Sequence, residues 1–239
     1  MGHSGPSFAD SHCADAPLAS GAIHEAESRA AFLLRLRGSG IRDLALLRAL
    51  EKVPRELFVP EGCAAFADSD LALPLGCGQT MTAPVLIAQM IEKLSVLPRH
   101  RILEIGTGSG YSAAVLSHIA REIISFERFA SLAEPARGRL ASLRRDNVLV
   151  VTGDGSTVPP ESGIFDRILI HAACHNIPEA LRQLLAADGL ILYPQDEEPQ
   201  SLRILRRNGE GWLQETLDET GQERGFFFQP LLQGTARSL

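Results

Sequence analysis

Glu104, Gly106, Gly108, Gly110 and Glu127 are the residues of this chain whose types and spacing point most directly to chemistry. The stretch Arg101-Ile102-Leu103-Glu104-Ile105-Gly106-Thr107-Gly108-Ser109-Gly110-Tyr111 reads as a buried strand feeding a glycine loop that opens a helix. Glycines at alternate positions let the backbone turn sharply and approach a ligand with no Cβ in the way. The helix beginning near Tyr111 adds unpaired N–H groups. Ligands with an adenosine part suit such a loop. The glycines do not follow the Gly-x-Gly-x-x-Gly spacing, which argues against a dinucleotide pyrophosphate cradle.

Glu104 stands two residues ahead of the first glycine, and a second acid, Glu127, ends the next apolar run, Glu122-Ile123-Ile124-Ser125-Phe126. This is the pattern of S-adenosylmethionine-dependent methyltransferases, whose cationic sulfonium tolerates a carboxylate near its amino-acid end. Gly153-Asp154-Gly155 follows in order. Plainer readings stand beside these. Glu127 could be a solvated charge at a strand end, and Asp between two glycines is a good turn former.

The elements that must position these residues alternate regularly after Pro98. Strands are expected at 101–105, 122–126, 147–151, 165–170 and 189–193, and helices at 111–120, 130–144 and 178–186. The fold class is therefore α/β, a Rossmann-like class I S-adenosylmethionine-dependent methyltransferase: a mostly parallel sheet with helices on both faces, an N-terminal helical elaboration and C-terminal antiparallel strands. Residues 1–22, rich in Gly, Ser, Ala, Pro and Asp, read as a mobile tail. Residues 23–97 read as N-terminal helices and a substrate loop packed on the core, and 98–239 as the cofactor-binding domain. A helical stripe runs from Glu25 through Leu36 to Gly38-Ser39-Gly40, and a second helix, capped by Asp43, runs to the break at Pro54. Val53–Pro60 and Ala72–Pro84 are too rich in Pro and Gly to be mainly helix or central strand, and Thr82 is placed to cap a helix starting at Pro84. Beyond Pro199, strands at 201–207, 212–217 and 225–229 form a meander or hairpin closing the sheet edge.

Composition narrows the function further. The 239 residues carry 23 Lys plus Arg against 29 Asp plus Glu, a formal charge of −6, so no global basic field exists to hold nucleic acid. Arg137, Arg139, Arg144 and Arg145 lie at helical spacing among Leu140 and Leu143, as a solvated helix face would. Cys13, Cys63, Cys77 and Cys174 show no Cys-x-x-Cys spacing, which fits a reduced, cytoplasmic setting and neither a zinc ribbon nor a disulfide framework. No apolar run approaches a membrane span, and no export signal is evident, so no membrane partner is expected.

Four blocks, in order, make the chain resemble the protein-L-isoaspartate (D-aspartate) O-methyltransferase family from about Ala30 to Leu232. They are Val53-Pro54-Arg55-Glu56-Leu57-Phe58-Val59-Pro60; Gly76-Cys77-Gly78-Gln79-Thr80-Met81-Thr82-Ala83-Pro84, similar to the family's Gly-x-Gly-Gln-Thr-Ile-Ser-x-Pro substrate loop; Leu103 to Tyr111; and Gly153-Asp154-Gly155 with Phe165–Ile170. The resemblance implies methylation of the free carboxylate of isoaspartyl residues by S-adenosylmethionine, with S-adenosylhomocysteine as product. It implies isoaspartyl-containing proteins and peptides as partners, and a monomer is expected. Thr82, where the family has serine, is the implied catalytic residue, with Gln79, Thr80, Thr82, His171 and Phe227 toward the substrate. Glu104, Gly106 and Gly108 would line the methionine part of the cofactor, Glu127 would accept from the ribose hydroxyls and Asp154 would sit near the adenine edge. Thr107, Ser109, Arg128 and Gly155 complete the implied cofactor set.

The chain also departs from the pattern. His171-Ala172-Ala173-Cys174-His175 replaces the family's Thr-Ala-Ala-Ala-Pro, and Phe227 replaces an arginine in the C-terminal block. His171 and His175 follow a strand, not a helix that would align them, so no metal is expected. These departures leave open a carboxyl methyltransferase for a biosynthetic peptide or small acid, and a non-catalytic cofactor-binding homologue.

Overall fold

The computed structural model describes residues 17–209, 211–217 and 228–232. In chain order the elements begin with α1 (Pro17–Gly38), α2 (Leu44–Lys52), β1 (Leu73–Pro74), β2 (Thr80–Met81) and α3 (Pro84–Leu94). The alternating region follows, with β3 (Arg101–Ile105), α4 (Tyr111–Leu116), β4 (Glu122–Glu127), α5 (Ala130–Ser142), β5 (Val148–Thr152), β6 (Phe165–Ile170), α6 (Glu179–Gln183) and β7 (Leu185–Gln195). The antiparallel pair β8 (Ser201–Asn208) and β9 (Gly211–Leu217) comes last.

The main sheet has the order β5-β4-β3-β6-β7-β8-β9. From β5 to β7 neighbouring strands are parallel, and β7-β8 and β8-β9 are antiparallel. After β3 the chain winds outward through β4 and β5, then returns to lay β6 on the other side of β3. The direction of winding reverses between β3 and β6, and ligands bind at the carboxyl ends of strands flanking such a switch point. Ile105 pairs with Ile170 there, so the loops after both strands emerge side by side.

Central strands are buried on both faces, and their alternate residues feed two cores. Ile102, Leu169, Leu190 and Leu192 join one core with α1 to α4, while Leu103, Ile105, Ile168, Ile170 and Ile191 join the other with α6. Glu104 is on the same strand face as Ile102. The first core carries the N-terminal layer, pinned by Arg55. That residue is 3% exposed and donates to the carbonyls of Ala67 (2.6 Å) and Leu71 (3.2 Å), fixing the segment that leads into β1.

Several boundaries differ from the sequence reading. The first helix begins at Pro17, so residues 17–22 are helical. Proline is tolerated in a first helical turn. Asp43 caps α2 as expected, its carboxylate accepting from Ala45 N and Leu46 N. Thr82 does not cap α3. The cap position is Ala83, and the N–H of Val85 donates instead to Asp70 Oδ1 at 3.2 Å. The helix expected at 178–186 ends at Gln183, because Leu185 pairs with Phe165 and begins a longer β7, both side chains being buried. Of the strand expected at 225–229, only Gln229 and Phe228 fall within the described residues, and Pro230 forms a parallel bridge with Ala173.

Candidate active site

The glycine loop, residues 106–110, connects β3 to α4 at the switch point. Gly106 has φ 94° and Gly108 φ 54°, a left-handed region that side chains with a Cβ rarely adopt. A Cβ on Gly106 would lie 3.2 Å from His171 Cβ, so the loops after β3 and β6 touch directly. Glu127, at the end of β4, holds the loop from beneath. Its Oε2 accepts from Gly108 N (2.8 Å) and its Oε1 from Phe129 N (3.0 Å). Burial pushes the Glu127 carboxyl above its ordinary range, while the backbone N–H groups of Phe129, Gly108 and Arg128 pull it back down. With three backbone N–H groups on the carboxylate, about one lone pair remains for a ligand hydroxyl.

Glu104 is completely buried. The strand register sets Ser125 opposite it, and the Ser125 hydroxyl donates to Glu104 Oε2 at 2.5 Å while lying 2.6 Å from Thr107 Oγ1. The other carboxylate oxygen, Oε1, faces His171 Nε2 at 3.2 Å, and that nitrogen is also 3.1 Å from Ser112 Oγ in the first turn of α4. A chain of polar groups thus runs beneath the glycine loop from Thr107 to Ser112. Ser125 and Ser112 went unrecognised in the sequence. A lone serine inside the apolar run Ile-Ile-Ser-Phe was the available signal for the first, since a buried hydroxyl requires a partner.

The opposite wall comes from the hairpin β1-β2, in which Leu73 pairs with Met81 and Pro74 with Thr80 around a 3₁₀ turn at Gly76–Gly78. This hairpin meets the glycine loop closely, with Leu75 Cδ1 3.4 Å from where a Cβ on Gly108 would stand. Cys77 Sγ lies 3.2 Å from Ser131 Oγ of α5, a second tether. Between the walls is a cleft of ≈ 40 Å³ lined by Thr80, Thr82, the backbone of 106–109, Ser112 and His171. The Thr82 hydroxyl has no hydrogen-bond partner among the described residues. Tyr111 closes the floor, edge-on to Phe58 with ring centroids 5.6 Å apart, and burial raises its hydroxyl's pKa.

Among the residues proposed from sequence, Thr80, Thr82, Gly106, Thr107, Gly108, Ser109 and His171 come together in this cleft, with Glu104 and Glu127 directly behind them. Gln79 does not line it, and its Nε2 donates to Cys77 O at 3.2 Å within its own turn. Asp154 accepts from Ser156 N and Oγ through Oδ1, capping the 3₁₀ turn at 155–157, so its turn-forming role is realised. Gly155 packs against Ile105, and Arg128 donates to Leu232 O at 2.6 Å. Phe227 lies outside the described residues. His171 and His175 diverge, the first in the cleft and the second exposed, and no group of three or more potential metal ligands occurs among the described residues. Within the same residues, no helix is long and apolar enough to cross a membrane.

A sequence model of the family described as protein-L-isoaspartate(D-aspartate) O-methyltransferase matches residues 27–222. A protein-L-isoaspartate O-methyltransferase of Rhodopseudomonas palustris (strain BisB18) is 44% identical over 210 residues, which cover 87% of this chain and 94% of that one. Its namesake from Nitrobacter winogradskyi is 43% identical over 220 residues, covering 91% and 99%. Two solved structures share the fold. One, described by the same enzyme name, superposes with a TM-score of 0.75 at 24% identity, covering 87% of this chain and 67% of that one. The other, a Plasmodium falciparum protein described likewise and in complex with S-adenosyl-L-homocysteine, has a TM-score of 0.73 at 23% identity, covering 85% and 98%.

Proposed function

The chain belongs to the protein-L-isoaspartate(D-aspartate) O-methyltransferase family, and from that membership we infer that it methylates the free carboxylate of L-isoaspartyl and D-aspartyl residues in damaged proteins. The methyl donor is S-adenosylmethionine, which supplies an electrophilic methyl group and leaves as S-adenosylhomocysteine. The resulting ester closes to a succinimide, whose hydrolysis returns part of the residue to normal aspartate.

The residues present fit that cofactor. The Gly106–Gly108 backbone bends where side chains would obstruct a ligand, and two carboxylates, Glu104 and Glu127, lie behind it to complement a cation. We assign Glu104 and the backbone of Gly106, Thr107, Gly108 and Ser109 to the amino-acid part. Glu127, with Arg128 beside it, is assigned to the ribose, and Asp154 and Gly155 to the adenine side.

The acceptor needs little acid-base help. An α-carboxylate, with a reference pKa of about 3.5, is already ionised at neutral pH, so no general base is needed to prepare it. Holding one oxygen in line with the methyl and keeping water out is the remaining task. Thr82 is the residue we assign to it, donating its hydroxyl to the carboxylate, with Thr80 beside it and Gln79 shaping the turn that presents both. The single observation carrying this reading is that the glycine loop and the Gln-Thr-x-Thr hairpin face each other across one cleft while the Thr82 hydroxyl has no partner among the described residues. We propose a monomer as the functional unit. We propose a cytoplasmic setting, which the cysteine spacing fits. Incubation with methyl-labelled cofactor and an isoaspartyl peptide tests the reading. An alkali-labile methyl ester is expected, and its absence would contradict it.

A further inference from the structure

Glu104 poses a problem that the assignments above do not solve. A fully buried carboxylate is costly unless it is paired, yet among the described residues neither lysine nor arginine reaches it. Its partners are the Ser125 hydroxyl on Oε2 and the His171 imidazole on Oε1.

The ring's position is fixed from three sides. The His171 backbone N–H donates to Ile105 O at 2.8 Å, Cβ packs on Gly106, and Nε2 sits 3.1 Å from Ser112 Oγ. In the tautomer with its hydrogen on Nε2, the ring donates to Glu104 Oε1 at 3.2 Å. The side chain is 9% exposed and spans the gap between the ends of β3 and β6.

Resting on the functional reading above, we propose that His171 is a positioning residue of the cofactor site, which donates from Nε2 to Glu104 and holds that buried carboxylate in the orientation that receives the amino-acid end of S-adenosylmethionine. It acts through Glu104 and not on the acceptor, although it lines the acceptor cleft. In this chain the imidazole supplies a donor reaching back from the β6 loop, linking the carboxylate to the first turn of α4 through Ser112. Without that donor Glu104 keeps the Ser125 contact alone, and its second oxygen is free to turn.

The test compares His171→Met with His171→Gln in the full chain. The two side chains have similar length and volume, but only glutamine places an N–H donor where Nε2 stands. Calorimetric titration with S-adenosylhomocysteine reads cofactor-site affinity without turnover, and initial rates with an isoaspartyl peptide give the acceptor KM. Methionine is expected to weaken S-adenosylhomocysteine binding by about tenfold or more, the loss of one hydrogen bond to a charged group, and glutamine to recover most of it. The peptide KM is expected to change by a similar factor in the two variants, whereas S-adenosylhomocysteine affinity separates them. Equal affinity in the two variants, or a change confined to the peptide KM, would overturn the proposal. A wild type that binds S-adenosylhomocysteine but methylates no isoaspartyl peptide would count against the functional reading and leave the role of His171 standing. A wild type that does not bind it would overturn both.

Discussion

Thr82 shows how one residue can carry two sequence readings of which structure retains one. Its position ahead of Pro84 suggested a helix cap, but Ala83 occupies that position and Asp70 takes the Val85 N–H, so the Thr82 hydroxyl is left for the cleft. Thr82→Ala is expected to lower kcat/KM for an isoaspartyl peptide by roughly tenfold to a hundredfold, with S-adenosylhomocysteine affinity unchanged by calorimetry, while Thr82→Ser retains most of the activity. Equal losses in both variants would remove the hydroxyl from the account. Glu127 read in sequence either as a ligand-facing carboxylate or as a solvated charge at a strand end, and the structure buries it against the Gly108 and Phe129 N–H groups. Asp154 was legible only as an ambiguity, since one short carboxylate serves a turn and a ligand equally well. That Ser125 and His171 would meet Glu104 could not be read from the sequence. Ser125 and His171 belong to strands or loops 21 and 67 residues away, and their meeting depends on sheet register.

At the scale of elements, the glycine loop works because β3 is held rigidly at its carboxyl end. Gly155 is part of that support. A Cβ there would fall 2.5 Å from Ile105 Cγ2, on the last residue of β3, whereas one on the exposed Gly138 of α5 would meet nothing within 4 Å. Gly155→Ala is therefore expected to cost about 1–3 kcal/mol in urea unfolding, and Gly138→Ala to stabilise by roughly 0.5–1 kcal/mol. A neutral Gly155→Ala would show that the end of β3 yields freely. The central strands were legible because strands buried on both faces read as near-continuous apolar runs, as in Ile102-Leu103 and Ile168-Leu169-Ile170. The end of α6 was not. Leu-Leu-Ala-Ala satisfies helix and strand patterns alike, and the choice falls to Leu185 pairing with Phe165. Strands β1 and β2 are two residues each inside a loop of Pro and Gly, too short for any periodicity to mark them.

For the whole molecule, composition and βα alternation gave the fold class, but the close fit between the N-terminal layer and the sheet came only with coordinates. His100, just before β3, belongs to that fit. It is 3% exposed, and its Nδ1 accepts from Leu97 N at 3.0 Å, so the ring is held neutral. Burial, reinforced by Arg167, lowers its pKa in the folded state. The unfolded chain then binds a proton at His100 before the folded one does, so stability is present above the ordinary histidine value of about 6.5 and is lost as pH falls through the lowered folded value. The melting temperature is expected to drop between about pH 7 and about pH 5, and less steeply in His100→Asn, whose side-chain oxygen can still accept from Leu97 N. Parallel pH profiles for the two proteins would exclude His100 as the source. The cleft is assigned to an isoaspartyl carboxylate in preference to an aspartyl side chain. The most direct measurement is methylation of an equimolar mixture of two peptides identical except for isoaspartate or aspartate at one position, read as alkali-labile methyl ester on each. Ester is expected on the isoaspartyl peptide in excess of about a hundredfold, and equal labelling of the two peptides would contradict that assignment.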